Sequence, residues 1–250
     1  MPLFTIPDSV KEIGDGAFWG CTKIEMPFIH NSELISYINA AGDCLIPEGI
    51  TKIREYAFWH CRKLTSVIVP DGVTKIGHNA FACCSMLSRI ILPNSVVEIG
   101  EGAFNGCESL IQVIIPNGVE EIAFDTFNGC KALAGVVIPD SVKKISANAF
   151  YGCKALASVI IPDSVMEIGE NAFDGCKALA SVIIPDSVTE IGNGAFYGCS
   201  SLTSVVIPNS VTEIGYSAFD ECPSLRNVMV PKITKLAYDA FDSSCKVTRY

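Results

Sequence analysis

The sequence predicts an α/β solenoid, and three observations carry that expectation. Prolines 47, 70, 93, 116, 139, 162, 185, 208 and 231 stand 23 residues apart without a slip. Each interval repeats one phrase, Pro-Asp/Asn-Ser/Gly-Val-x-x-Ile-Gly-x-x-Ala-Phe-x-Gly-Cys-x-x-Leu-x-x-Val-Ile-Ile, seen clearly in residues 161–184, IPDSVMEIGENAFDGCKALASVII. Within the phrase the apolar positions keep fixed places, so each unit has one face to bury and only its neighbours to bury it against.

Counting the proline as position 0, the central copy carries Val165 at 3, Ile168 at 6, Ala172 and Phe173 at 10 and 11, Cys176 at 14 and Leu179 at 17. Positions 10, 11, 14 and 17 have helical spacing, which predicts a short segment with Ala, Phe, Cys and Leu on one face. It must be brief and partly 3-10, because Pro223 follows Cys222 directly and a residue before proline avoids the helical region. Val182-Ile183-Ile184 is β-branched and short and predicts a strand, which Pro185 ends because it has no N–H for a ladder. Asp186-Ser187 then turns the corner through local side-chain to backbone bonds. Position 7 is usually glycine, yet Arg54, Ala123 and Ser146 also occupy it, so it does not strictly require positive φ. Stacked units place their strands ~4.8 Å apart in a parallel sheet. Phe58, Phe81, Phe104, Phe127, Phe150, Phe173, Phe196 and Phe219 then form an aromatic spine in the core.

The run Leu-x-x-Val-x-Ile-Pro-x-x-Val resembles the core of leucine-rich repeats. The full phrase, with Ile-Gly-x-x-Ala-Phe-x-x-Cys-x-x-Leu, resembles the BspA-like (Treponema-type) branch of that superfamily over nearly the whole chain. The resemblance implies a right-handed solenoid with a parallel sheet on its concave face and short helical or 3-10 segments on its convex face. It also implies a bacterial or protist surface protein of adhesion type that binds host or neighbouring proteins, with no catalytic residues.

Composition narrows the classes further. The chain has 250 residues, 49% of them hydrophobic, enough for a substantial core, and no linker interrupts the repeats. A net charge of −9 with no Lys/Arg stripe argues against nucleic acid. No apolar run reaches membrane-spanning length, so no membrane insertion is expected. Lys and Glu alternate irregularly at position 5 and read as a solvated surface. Of the 12 cysteines, Cys21, Cys61, Cys84, Cys107, Cys130, Cys153, Cys176, Cys199, Cys222 and Cys245 share one inward position, where cysteine acts as a small hydrophobe. Disulfides between rungs are disfavoured, because inward-parallel side chains cannot reach a χ3 near ±90°. No CxxC occurs, and neither a metal nor another cofactor is expected. The chain begins inside a repeat, with no signal peptide. The resemblance points to export and the free thiols to the cytoplasm, and the sequence leaves both open.

Taken in order, the chain divides into a first unit at 7–24, an insertion at 25–42, regular 23-residue repeats at 43–230 and a degenerate unit at 231–250, all within one solenoid of residues 1–250. In the insertion, Glu33-Leu34-Ile35-Ser36-Tyr37-Ile38 has spacing suited to a short amphipathic helix capped at Asn31 or Ser32. That helix would fold over the stack as a partial cap, or present a binding loop. In the last unit Phe241 comes one residue early, and Lys246-Val247-Thr248-Arg249-Tyr250 reads as an edge strand blunted by polar and cationic residues. The apolar edge Leu3–Ile6 is unguarded and reads either as a truncation scar or as a pairing surface, the second of which would allow a homo-oligomer.

On the sheet, position 21 points outward and reads Ile68, Ile91, Ile114, Val137, Ile160, Ile183, Val206 and Met229. Beside it position 19 reads Ser66, Arg89, Gln112, Gly135, Ser158, Ser181, Ser204 and Asn227. A continuous apolar stripe on a soluble chain marks an interaction site for a protein partner, unless β-branched residues stand there only for strand propensity. The column Asp71, Asn94, Asn117, Asp140, Asp163, Asp186 and Asn209 supplies two further readings, a divalent-cation or glycan surface and plain turn residues. His30, His60 and His78 join no catalytic motif, and no phosphate-cradling loop occurs, so no enzyme is expected.

Overall fold

A computed structural model describes residues 27–37 and 39–250, together with Val10, Ile13 and Gly14. The rest of the first unit, including Cys21, and the Leu3–Ile6 edge lie outside these residues. What is described is a solenoid of parallel strands on two faces. One face carries the expected strands: Lys63–Ile68, Arg89–Ile91, Gln112–Ile114 and Gly135–Val137 pair at one-repeat steps, Ser181–Ile183 pairs with Ser204–Val206, and Asn227–Val230 follows in a separate pair. Between Val137 and Ser181 the ladder thins to a single bridge, Ser158 to Ser181.

The second face was not anticipated. Positions 5 and 6 form two-residue strands, such as Lys75–Ile76, Glu98–Ile99, Lys144–Ile145 and Glu167–Ile168. They pair in five- and six-stranded ladders, with every position-6 Ile inward. The Lys/Glu alternation at position 5 is therefore cross-strand: Lys75 Nζ lies 2.6 Å from Glu98 and Lys144 Nζ lies 3.1 Å from Glu167.

The convex helical or 3-10 segments are overturned, since the described residues contain no helix. Residues at positions 9 and 13 are left-handed, as at Asn79 (φ 52°) and Cys83 (φ 60°), and no helix continues through such residues. The N–H groups of Asn79, Phe81 and Cys83 donate to the carbonyls of Glu101, Ala103 and Asn105 on the next rung, at 2.7–2.9 Å. The intervening N–H groups close four-residue turns: Ala80 donates to Gly77, Ala82 to Asn79 and Cys84 to Phe81. Tight turns repeated in succession imitate helical spacing in the apolar pattern while spending half of the donors on the neighbouring unit.

From Phe58 to Cys222 the inward Phe and Cys positions hold as read, whereas Cys245 in the last unit is only partly buried. Phe58 to Phe219 are fully buried, their ring centroids 4.7–5.5 Å apart and their planes within 13°. Phe241, despite its early place, stacks on Phe219 at 5.1 Å. Cysteines 84, 107, 130, 153, 176, 199 and 222 are buried and free, and each Sγ donates to the carbonyl of the preceding rung's Phe at 3.0–3.3 Å. That bond gives the column a specific use for sulfur beyond filling space.

The insertion helix is overturned as well. Phe28–His30 and Glu33–Ser36 form an antiparallel hairpin, and Asn31 (φ 49°) and Ser32 (φ 59°) make its turn rather than a helix cap. Positive φ at both central residues is the turn whose twist matches a hairpin. Its second strand then pairs with Lys52–Ile53, and Tyr37 packs at a tilt against Phe58, centroids 5.7 Å apart. Cys61 Sγ donates to the Tyr37 carbonyl, so Tyr37 stands where the preceding rung's Phe would. At the other end Lys246–Arg249 pairs with Asn227–Val230, and the Arg249 guanidinium donates to the carbonyls of Pro231 and Thr234 at 2.9 and 2.7 Å.

Candidate functional site: the outward sheet face

The strands Arg89–Ile91, Gln112–Ile114, Ser181–Ile183 and Ser204–Val206 alternate, exposing positions 19 and 21 around a buried position 20. Val113, Val182 and Val228 are buried while Ile114, Ile183 and Met229 on the same strands are exposed. The stripe residues Ile68, Ile91, Ile114, Val137, Ile160, Ile183, Val206 and Met229 are all exposed, from 39% at Ile91 to 85% at Ile160. Leu45, 68% exposed and in register with Ile68, extends the stripe by one rung. Sequence reading missed Leu45 because the insertion breaks the period, although its place two residues before Pro47 marks it as a position-21 residue.

The polar row beside the stripe differs along its length. Ser66 donates to Asp43 at 2.6 Å, and together with Thr65 it holds the Asp43 carboxyl below the usual carboxylate range. Arg89 and Gln112 stand opposite each other on paired strands, both exposed. With Ile91, Ile114, Asp71 and Asn94 they line a groove of about 800 Å³. Asn227 begins the last full strand, beside a smaller groove that Tyr250 closes.

The Asp/Asn column is exposed along its length, and among the described residues no group of three or more His, Cys, Asp or Glu is placed to hold a metal. The serines next to it act between rungs rather than locally: Ser95 and Ser141 donate to the carbonyls of Val73 and Val119 at 2.8 and 2.7 Å. His60 packs on Trp59 at 3.8 Å and meets Arg62 at 3.2 Å, and desolvation together with the Arg62 charge keeps its pKa below the ordinary imidazole value. His78 meets Asn79 at 2.6 Å and lies 3.9 Å from Glu101. These contacts assemble no nucleophile and base. Among the described residues no helix is long and apolar enough to cross a membrane.

The model of the BspA type leucine rich repeat region matches the chain in six copies, over residues 1–41, 38–145 and 120–248. The chain belongs to the BspA-type leucine-rich-repeat family. Members of this family are generally protein-interaction or adhesion modules and typically non-enzymatic. Among solved structures, this BspA-type chain is similar to a leucine rich repeat protein of T. pallidum, with 33% identity, a TM-score of 0.63, and 72% of this chain and 84% of that one covered. It is also similar to a leucine rich cell surface protein of Faecalibacterium prausnitzii, with 31% identity, a TM-score of 0.46, and 81% and 70% covered. The pneumococcal vaccine antigen PcpA, 18% identical with a TM-score of 0.50 and 86% and 75% covered, shares the fold. No curated protein sequence matches the chain.

Proposed function

We propose that this BspA-type chain is a non-catalytic binding scaffold of adhesion type, working at a cell surface and engaging a protein partner through the stripe from Leu45 to Met229. The observation that carries this reading is the continuity of the exposed aliphatic residues, one per rung, on a face that no other element of the described structure covers. Monomeric soluble proteins rarely leave a contiguous apolar patch of this extent open. Arg89, Gln112 and Asn227 would add polar anchors along its border, because interfaces combine an apolar centre with a polar rim. In this reading residues 1–250 are one solenoid domain, with the hairpin at 28–36 built into the stack as part of a rung.

The test replaces Ile114, Ile160 and Ile183 with Lys together. These side chains are exposed, so the fold is expected to survive, with a melting temperature close to that of the parent. Proteins retained by the immobilised chain from surface-labelled cell extracts are then compared between the two forms. Loss of specific retention supports the stripe, and unchanged retention with the fold intact removes it.

A further inference from the structure

The third side of the solenoid, formed by the turns at positions 12 to 15, carries a feature that the sheet-face reading does not use. Gly129, Gly152, Gly175 and Gly198 stack there as a floor, with φ of 66–70°. Positive φ favours glycine, yet His60, Cys83 and Glu221 hold the same position with φ of 52–60°, so the turn itself accepts side chains. A Cβ on Gly152 or Gly175 would meet only the backbone of the neighbouring glycine, at 3.9 and 3.7 Å, which is ordinary contact. The run of glycines therefore leaves open a floor that the fold would allow to be filled.

Two rows wall this floor and enclose a groove of about 540 Å³. One row is Tyr151, Asp174 and Tyr197, on successive rungs, so the two phenol rings stand two rungs apart, about 10 Å along the axis. The other is Lys131, Lys154 and Lys177, the lysines of the recurring KALA. Asp174 is half-buried, and among the described residues its carboxylate takes no hydrogen bond or ion pair; Lys154 and Lys177 are likewise unpaired. Lys131 is held by Glu108 at 2.8 Å. The three lysines are balanced by Asp174, Glu221 and Glu108, so the groove has no net charge for a polyanion.

Flat apolar rings with polar edges, interleaved with a free acceptor and free donors, match the chemistry of a sugar chain. Each pyranose offers one apolar C–H face for stacking and vicinal hydroxyls that both accept and donate. We propose that this groove binds a neutral linear oligosaccharide running along the solenoid axis, with Tyr151 and Tyr197 stacking on alternate sugars and with Asp174, Lys154 and Lys177 hydrogen-bonding the hydroxyls between them.

Calorimetric titration with cello-, laminari- and mannohexaose and hexa-N-acetylchitohexaose, and with heparin as the polyanion, tests the assignment. The expected result is saturable binding of at least one neutral hexasaccharide that responds little to salt. Tyr151→Ala and Tyr197→Ala should each weaken it about fivefold, the size of one aromatic stacking contact. Gly152→Asn keeps a residue that tolerates left-handed φ, as Asn148 and Asn171 do in this chain, and should abolish binding while the melting temperature holds. Binding of none of the neutral hexasaccharides overturns the proposal. Affinity unmoved by these three variants, or binding of heparin alone with steep salt dependence, overturns it as well. The sheet-face Lys variant should bind the saccharide as the parent does, which separates failure here from failure of the protein-binding reading.

Discussion

Asp174 sits half-buried, and desolvation lifts its carboxyl to about 6. Its folded pKa then exceeds the unfolded one, so the native state holds this proton more tightly and gains stability as pH falls from about 6 towards 4. At neutral pH the charged form is a cost. Asp174→Asn should therefore raise stability by about 1 kcal/mol at pH 7, once solvent screening of a partly exposed group is allowed for, and change little at pH 4. Paired thermal melts at the two pH values check this, and equal effects at both would contradict it. The cysteine column makes a second demand at this scale. Burial pushes these thiols up, Cys222 to about 12, and takes them out of reach. Cys83 is only partly buried, so a thiol reagent applied to native protein should label it while Cys84 to Cys222 wait for unfolding. Uniform rapid labelling of the native chain would refute the column. That these cysteines face inward was legible from the period alone. That each thiol donates to a phenylalanine carbonyl 26 residues earlier was not, because stacking chooses that acceptor and no local spacing reveals it.

Elements were less legible than burial. The outward and inward strand positions followed from alternation and the proline stop, and the exposed Ile183 beside the buried Val182 shows the alternation holding. The turns at positions 9 to 14 misled, because their apolar residues fall at helical intervals while Asn79 and Cys83 adopt left-handed backbone. The five glycines at position 13 from Gly106 to Gly198 and the Asn residues at position 9 were the available signal, since both tolerate that region. The circular dichroism spectrum should accordingly lack a helical signature. In the hairpin, Ser32 holds φ 59°, which glycine adopts without strain. Ser32→Gly is expected to stabilise the protein by about 0.5–1 kcal/mol, and Ser32→Val to weaken it by at least as much, read from denaturant midpoints. Were the segment helical, glycine would act in the opposite direction.

The whole molecule is an array in which each rung pairs with the next, the pairings recurring at a separation of 23. Excising 162–184 should join two equivalent positions and leave a shorter folded stack with an unbroken phenylalanine column. Excising one residue fewer should not, since a slip of one residue turns each inward strand side chain outward. Comparing the cooperativity and midpoint of unfolding for the two deletions decides the matter. This regularity made the architecture and the stripe readable. It also concealed the groove of Tyr151, Asp174 and Tyr197, whose residues occupy what looks like a freely varying position and become a row only when rungs are superposed.

Because the backbone bonds between rungs run along the stack, from Tyr56 to His78 as from Asn171 to Asn193, tension applied between the chain ends meets them one rung at a time. The protein would yield like a zip, releasing about 80 Å of chain with each 23-residue rung, at a nearly constant modest force. A tether of this kind lengthens in equal steps under pull and rewinds when slack. Rungs still wound keep their outer faces intact while their neighbours give way.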